Sequence, residues 1–386
     1  MAAASNSGLS LDQLAAVLAP VGARVVGDGT VRVTDVSQDS RQVKTGYAFV
    51  ARSGAGAHGL QFAAGAIASG ARALITQDET GARAFAVPAI VVEHERKALA
   101  LAAEALHDFP SRAVKVIAVT GTNGKTTVAV LTEYALQSCG QLAARLGTLG
   151  FSFQGQVTPS NLTTEEADQV SRRLAQVRDA GGTHCVLEAS SHALSQHRLD
   201  GLQIEVAAFT NLTQDHLDYH GDLQHYGEAK ARLFTDLSPR NAVIHTGDAF
   251  GEHLAQQLPN AIRVGQAASC HVRPLHVVCD AAGIHGDLAT PSGTVRVDSP
   301  LVGRHNLENI LVVLGIASAL DLDVQRVAAQ LATAPSVPGR FERCDVAGDS
   351  ISVLVDYAHT PDALSRVLKA CRELCSGKLI CVFGCG

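Results

Sequence analysis

At 386 residues, 46% apolar and 18% charged, the chain can bury a sizeable core and exceeds one ordinary domain, which excludes the disordered class and predicts two or three domains. Its net charge of −6, from 31 basic and 37 acidic side chains without a basic block, argues against a dedicated nucleic-acid binder. No apolar run approaches the roughly 20 residues of a membrane span, and the first ten residues lack the regions of a signal peptide. The expectation is a cytoplasmic protein without a membrane partner.

In chain order, residues 9–19 read as a short amphipathic helix, followed by strands near 31–36 and 47–51. A helix near 60–69, strands at 72–76 and 88–92 and a helix over 95–108 complete a small α/β unit. Phe109 precedes Pro110 and is pushed out of helical geometry, so a joint is expected there. From 113 the pattern becomes strand–turn–helix: a strand at Val114–Val119, a helix from about 125 and a helix at 166–179. Strands at Cys185–Leu187 and Val206–Phe209 and a helix over 223–236 continue it. Strands alternating with helices predict a parallel sheet covered on both faces. Residues 262–302 read as short β segments, and helices return at 307–320 and 323–332. A second joint falls at Ser336-Val337-Pro338-Gly339, followed by a strand at Ile351–Val355, a helix at 361–374 and a strand at Leu379–Phe383. The expected domains are therefore 1–110, 111–338 and 339–386. The last is short for a nucleotide-type domain and is expected to be the start of an incomplete Rossmann-like one.

Nine cysteines, an odd number without framework spacing, suit a reducing compartment. Cys371, Cys375, Cys381 and Cys385 could in principle hold zinc, but their spacing lacks the two-residue gaps of a structural site, which favours free thiols.

The strongest chemical signal is Thr120-Gly121-Thr122-Asn123-Gly124-Lys125-Thr126-Thr127, between an apolar strand and a helix. Glycines there let backbone N–H groups turn around phosphate oxygens, and the helix N-terminus adds positive charge. Lys125 would reach the terminal phosphates and Thr126 would take Mg²⁺, although Val119 stands where the common phosphate-loop pattern has a glycine. Glu188, in Glu188-Ala189-Ser190-Ser191-His192, ends a buried strand where a carboxylate can hold Mg²⁺ beside a nucleotide; alone, it could equally be a solvated strand-end acid. The run from Asn211 to His220, with Asp215, His216, Asp218 and His220, would suit a zinc hydrolase as well as Mg²⁺ and phosphate contacts. Lys230, one helical turn from Tyr226 and Phe234, reads by itself as a lysine whose stem packs while its head reaches water. Asn306 and Asn309 could be helix caps, and Asp356-Tyr357-Ala358-His359-Thr360-Pro361-Asp362 ends a strand and begins a helix, with His359 either catalytic or a loop histidine.

In this order the motifs resemble the Mur ligase family, ATP-dependent amide ligases of peptidoglycan synthesis. The most specific stretch is Ser190-Ser191-His192-Ala193-Leu194-Ser195-Gln196-His197-Arg198, continuing through Phe209–Leu212 to Asp215–His220 and Ala229-Lys230. It is similar to the family members that add the third amino acid to UDP-N-acetylmuramoyl-L-alanyl-D-glutamate. The resemblance implies an α/β, three-domain architecture with a central parallel sheet and a phosphate-binding loop. It implies ATP held by Gly121, Thr122, Asn123, Gly124, Lys125, Thr126 and Thr127, with Asn306, Arg340 and Asp356 as further nucleotide contacts. Mg²⁺ would be held by Thr126, Glu188, His216 and a carbamylated Lys230, which reverses the bland reading of that lysine. Together with Lys125, the last three would form the catalytic set. Ser40 matches a uridine contact, and Thr163, Thr164, Ser190, Gln196 and Arg198 match contacts to the muramoyl peptide. A free amino acid would be the second substrate, meso-diaminopimelate ahead of L-lysine, acting on a monomeric enzyme.

Two departures touch these contacts: Glu165 stands where Pro or Gly usually follows the Thr pair, and His58 stands where an Asp is common. The alternatives are another Mur-type or a folylpolyglutamate-type ligase, a nucleotide-dependent switch, or a substrate-binding but inactive fragment. The residues that choose the incoming amino acid are expected beyond Gly386.

Overall fold

Residues 7–52, 58–346, 349, 351–359 and 361–384 are described in a computed structural model of the chain. The chain folds as two units. The first comprises 1–115 with 164–181 and 192–203, the second 116–163, 182–191 and 204–386.

In the first unit the strands Arg24–Val26, Ala89–Val91, Ala73–Thr76, Tyr47–Val50 and Asp35–Ser37 form a sheet in that spatial order. The last four are parallel and Arg24–Val26 runs antiparallel at one edge. Their short apolar stretches are buried on both faces, as a parallel sheet requires. The period-two alternation sorts them: Ala48, Val50, Ala73 and Ile75 join Leu11, Leu14 and Leu99 on one side, while Phe49 and Leu74 join Leu60 and Ala63 on the other. The helices Glu95–Leu106 and Ala167–Asp179 pack together on the first of these faces. The predicted joint at Phe109 is a left-handed turn, with Asp108 and Phe109 at φ 59° and 48°, before Pro110 opens a short helix.

The second unit is built on eight strands in the order Gln156–Thr158, Gly150–Phe153, Ala143–Gly147, His184–Glu188, Lys115–Thr120, Ile204–Phe209, Asn241–His245 and Ile262–Val264. The first two are antiparallel additions; Ala143–Gly147 pairs in parallel with His184–Glu188, and Lys115–Thr120 through Ile262–Val264 are mutually parallel. Ile117, Val119, Val186, Val206, Ala208 and Val243 meet the helices Lys125–Ser138 and Arg304–Ala319 in one continuous core. Arg304–Ala319 is buried on nearly every side, which explains its lack of a polar face. Residues 273–299 form the expected β segments, a three-stranded antiparallel sheet whose Leu288, Val295 and Val297 extend the same core.

Two expectations near the C-terminal end do not hold. Only Leu354–Val355 of the 351–355 stretch is strand, paired with Glu342–Arg343, and 379–383 forms none. An apolar run becomes a strand only with a ladder partner, and here Ile380 and Val382 stand exposed. Of the four clustered cysteines, Cys371 is buried beside Phe341 and Val302, Cys381 is exposed and Cys385 lies outside the described residues. No group of three His, Cys, Asp or Glu side chains able to hold a metal exists among the described residues.

Candidate functional site

The loop 121–124 leaves the strand Lys115–Thr120 and feeds the helix Lys125–Ser138, as the sequence requires of a phosphate loop. Gly121 and Gly124 both have positive φ, and a Cβ on either would fall 1.9 Å from Thr210 Oγ1 or 2.4 Å from Asn309 Oδ1. Glycine is therefore demanded by conformation and by space. The segment 210–213 cradles the loop. Asn123 N–H donates to Asn211 Oδ1 (3.0 Å), Thr210 Oγ1 donates to the Asn123 carbonyl (2.6 Å), and Thr213 N–H donates to Thr122 Oγ1 (2.9 Å).

Two lysines converge on one atom of this loop. Lys125 Nζ donates to the Gly121 carbonyl at 2.8 Å and Lys230 Nζ donates to the same oxygen at 2.9 Å. Lys125 also reaches the Thr122 carbonyl (2.9 Å). Lys230 comes from the helix Leu223–Thr235, which starts on an Asp222 side-chain cap to His225 N–H. Only 1% of it is exposed, so its head does not reach water as the isolated residue suggested. Its amine lies 4.2 Å from the centre of the Tyr226 ring. Burial, then the Lys125 charge, holds its pKa well below the ordinary lysine value, with Asp215 opposing weakly. Lys125 is lowered too, mainly by burial, against the attraction of Glu188.

Glu188 is the carboxylate of the site. Its Oε2 accepts from Thr126 Oγ1 (2.9 Å) and Thr148 Oγ1 (3.2 Å), and its Oε1 accepts from Thr148 N–H (2.8 Å). Gly147 makes room for it, since a Cβ there would lie 2.2 Å from Oε1. Thr163 Oγ1 adjoins Thr148 Oγ1 at 3.3 Å, and Arg340 donates to Thr126 Oγ1 at 3.2 Å. Asp356 fixes the turn carrying Arg340 by accepting from Phe341 N–H (2.7 Å) and Ala358 N–H (2.8 Å), while Arg340 covers the Tyr357 ring. Asn306 and Asn309 are not caps: Gly303 holds that position, Asn309 Nδ2 donates to Asn306 Oδ1, and Asn306 Nδ2 donates to the Val302 carbonyl. Asn309 thereby meets the loop at Gly124.

The remaining residues are less convergent. His216, at φ 52°, has a half-exposed ring 3.6 Å from Asp215 and edge-on to Tyr226. Ser190 follows Glu188 on the same strand end, and its neighbour Ser191 pairs with His220 Nε2 at 3.0 Å. His359 is exposed, its Nδ1 on the Tyr357 carbonyl; Thr360 and the Asp362 side chain lie outside the described residues. Ser40 opens a short 3₁₀ turn capped by Asp39, and in the same first unit Gln196, Arg198 and Thr164 form a cluster: Arg198 donates to Gln196 Oε1 (2.8 Å) and the Thr164 carbonyl (2.7 Å). Glu165 lies 3.6 Å from Arg173, and His58 lies 3.9 Å from Asp78. Sequence reading missed Thr148 and Gly147, because the strand Ala143–Gly147 that delivers them was not recognised. Its signal was the short Ala-Ala-Arg-Leu-Gly run before a Thr.

The chemistry of the donor set fits Mg²⁺. Thr126 and Glu188 offer hard oxygens beside Lys125 and Arg340, and few protein ligands suit an ion that keeps waters and takes phosphate oxygens. A buried amine disposed to be neutral is also the form of lysine that reacts with CO₂.

A phosphate loop on a parallel sheet, with a strand-end carboxylate on its threonine, defines a nucleotide-binding α/β protein. Three family models match the chain: the Mur ligase family catalytic domain over 32–107, the Mur ligase middle domain over 119–317, and the Mur ligase glutamate ligase domain over 339–386. A UDP-N-acetylmuramoyl-L-alanyl-D-glutamate–2,6-diaminopimelate ligase of Xylella fastidiosa is 43% identical over 362 residues, covering 92% of this chain and 73% of its own. The ligase of the same name from Geobacter sulfurreducens is 40% identical over 386 residues, covering 98% and 75%. A solved structure of a ligase of that name superposes with a TM-score of 0.82 at 33% identity, covering 98% of this chain and 77% of the other. The chain belongs to the Mur ligase family.

Proposed function

We propose that this chain is an ATP-dependent ligase that joins an amino acid, meso-diaminopimelate ahead of L-lysine, to UDP-N-acetylmuramoyl-L-alanyl-D-glutamate in peptidoglycan synthesis. The 2,6-diaminopimelate ligases to which it is similar support the substrate pair. The observation that carries the reading is the joint placement of Lys125 and Lys230 on the Gly121 carbonyl, next to Thr126 bonded to Glu188. The domain division 1–110, 111–338 and 339–386, a monomeric state and a cytoplasmic location belong to the same proposal; no described helix is long and apolar enough to cross a membrane.

The loop N–H groups and Lys125 would hold the ATP phosphates, with Arg340 beside Thr126 as a second cation. Thr126, Glu188, His216 and carbamylated Lys230 would hold Mg²⁺, which when bound neutralises charge on the transferring phosphoryl oxygens. Carbamylation consumes the neutral amine and CO₂, giving an N-carboxylate and releasing a proton. The substrate carboxylate attacks the γ-phosphorus, the bond to the ADP oxygen breaks, and an acyl phosphate results. The amine of the amino acid then attacks the acyl carbon, phosphate leaves, and the amide loses a proton. Lys125 and Arg340 serve by holding charge in place, so the acceleration is mostly positioning and electrostatics.

The test is ADP formation by the full chain with ATP, Mg²⁺ and the UDP-muramoyl dipeptide, comparing meso-diaminopimelate with L-lysine. Turnover that requires the dipeptide and one amino acid supports the proposal. Equal turnover with a folate, or ATP hydrolysis indifferent to the dipeptide, rejects it.

A further inference from the structure

Beside Gln196 and Arg198, which the family resemblance places on the muramoyl peptide, the first unit carries two further arginines that have no role in the reaction scheme. Its parallel strands Asp35–Ser37, Tyr47–Val50, Ala73–Thr76 and Ala89–Val91 end on one edge, the side on which open α/β sheets bind ligands. Arg52 stands two residues after the second of these strands, and Arg96 lies in the first turn of the helix that follows the fourth. Arg96 donates to Gln196 Oε1 at 3.2 Å, the oxygen that Arg198 reaches at 2.8 Å. One neutral amide oxygen is thus shared by two guanidinium groups.

The carboxylates nearby are committed. Glu166 lies 3.1 Å from Arg198, and buried Glu95 accepts from Thr76 Oγ1 (3.3 Å) and Gln77 N–H (3.0 Å). Arg52 is left half-buried, its guanidinium making no hydrogen bond and no ion pair among the described residues. Burial holds its pKa below the ordinary arginine value, helped by the charges of Arg96 and Arg198 and opposed by Glu166 and Glu95. An arginine remains charged even so, and three guanidinium groups against two engaged carboxylates leave room for one more anion. An arginine kept partly desolvated among like charges is a cost to the fold, the kind retained where a ligand repays it.

We propose that Arg52 and Arg96, beside Gln196 and Arg198, form an oxyanion subsite at the carboxyl edge of the first unit's sheet that takes a negatively charged group of the UDP-linked substrate. The subsite rests on the function proposed above. Two groups of that substrate share the chemistry, its diphosphate and the carboxylates of its D-glutamyl end, and both accept paired N–H donors from arginine.

Titration calorimetry of the full chain with UDP and with the UDP-muramoyl dipeptide tests it, using Arg52→Met, Arg52→Lys and Arg96→Met. Arg52→Met weakens the dipeptide precursor about 10- to 100-fold, Arg52→Lys less, and ATP binding is unchanged. Because Arg52 has no partner to lose, Arg52→Met melts no lower than the unaltered chain, which separates lost recognition from lost folding. Equal weakening of UDP assigns the subsite to the diphosphate; weakening of the dipeptide precursor alone assigns it to a carboxylate. If the unaltered chain binds the precursor and Arg52→Met and Arg96→Met keep its Kd within twofold, the subsite is wrong and the function stands. If the unaltered chain binds neither ligand, both proposals fall.

Discussion

Replacing Lys230 by Met tests the electrostatics of the site directly. In the unfolded chain this lysine titrates at its ordinary value near 10.4. In the fold, burial and Lys125 depress it, with only Asp215 opposing. Between the folded and unfolded values the unfolded chain holds a proton that the fold lacks, so folding stability rises with pH. Below the folded value the penalty is full; above about 10.4 it vanishes. The slope for one such group is about 1.4 kcal/mol per pH unit. For a unit of this size, about 2–4 °C accompanies each kcal/mol, giving about 3–6 °C per pH unit. Met, of similar length, keeps the contact with Tyr226 and carries no proton. In CO₂-free buffer, Lys230→Met should therefore melt above the unaltered chain at pH 7.5, and the gap should narrow as pH rises towards about 10.4, by at most that amount per unit. Scanning calorimetry is the suitable assay, since the chain has no tryptophan. Added bicarbonate should raise the unaltered chain alone, by trapping the amine as a carbamate. A gap constant with pH would refute the depressed amine, and an equal bicarbonate effect on both chains would refute carbamylation at Lys230.

Gly147→Ala should push Glu188 off Thr126 and Thr148, because the new Cβ would lie 2.2 Å from Oε1. Steady-state ADP release should fall about 10²-fold with a smaller change in ATP affinity, and an unchanged kcat would show that this carboxylate need not be held there. Arg340→Met removes the donor to Thr126 Oγ1 and should raise the KM for ATP about tenfold, read from ATP-dependent initial rates. In the first unit, Asp35 is bonded by Arg172 (2.8 Å) and lies 3.2 Å from His107; Arg172 also pairs with Asp168 (3.0 Å), so Asp35→Asn removes one of its two carboxylates and should cost about 1–3 kcal/mol. These partners, outweighing burial, depress the Asp35 carboxyl, so its stabilisation is present above about pH 4 and is lost as pH falls towards the folded value. Calorimetric melts of Asp35→Asn and the unaltered chain should therefore converge on acidification.

What the sequence made legible was whatever carries a local signature. The phosphate loop announced itself through its glycines between an apolar strand and a helix, and the helix Leu223–Thr235 through its period; the structure adds the contacts that forbid a larger residue at Gly121 and Gly124, and the Asp222 cap. Glu188 was found because a carboxylate ends an apolar strand. Its partner Thr148 was not, because the five residues Ala143–Gly147 are too few to carry a period that separates strand from turn. The Lys230 environment was invisible in principle: a lysine one turn from Tyr226 looks like a surface lysine until the fold places Gly121 over it. The same limit explains the failed strand at 379–383, where apolar composition is present and a pairing partner is not. The meeting of Arg96 with Gln196, 100 positions away, and of Arg52 with the charge of Arg198 is likewise tertiary.

Net charge says little about either site, and the structure shows why. A total of −6 describes the average surface and rightly speaks to solubility. It carries no information about a site, because affinity for an anion depends on the few charges that are desolvated near it. In the second unit Lys125 and Lys230 share the Gly121 carbonyl and Arg340 reaches Thr126, against Glu188, itself well bonded, and the charge of Asp215. In the first unit, Arg52, Arg96 and Arg198 outnumber Glu95 and Glu166, both already engaged. Each unit thus concentrates partly buried positive charge within an acidic chain, where low dielectric makes every cation count for more than it would at the surface. That predicts a salt response unlike a surface patch's: raising ionic strength should weaken nucleotide and precursor binding only modestly, because buried charges are poorly screened. A steep loss of both affinities between about 50 and 200 mM salt, read by titration calorimetry, would place the recognising charges at the surface instead.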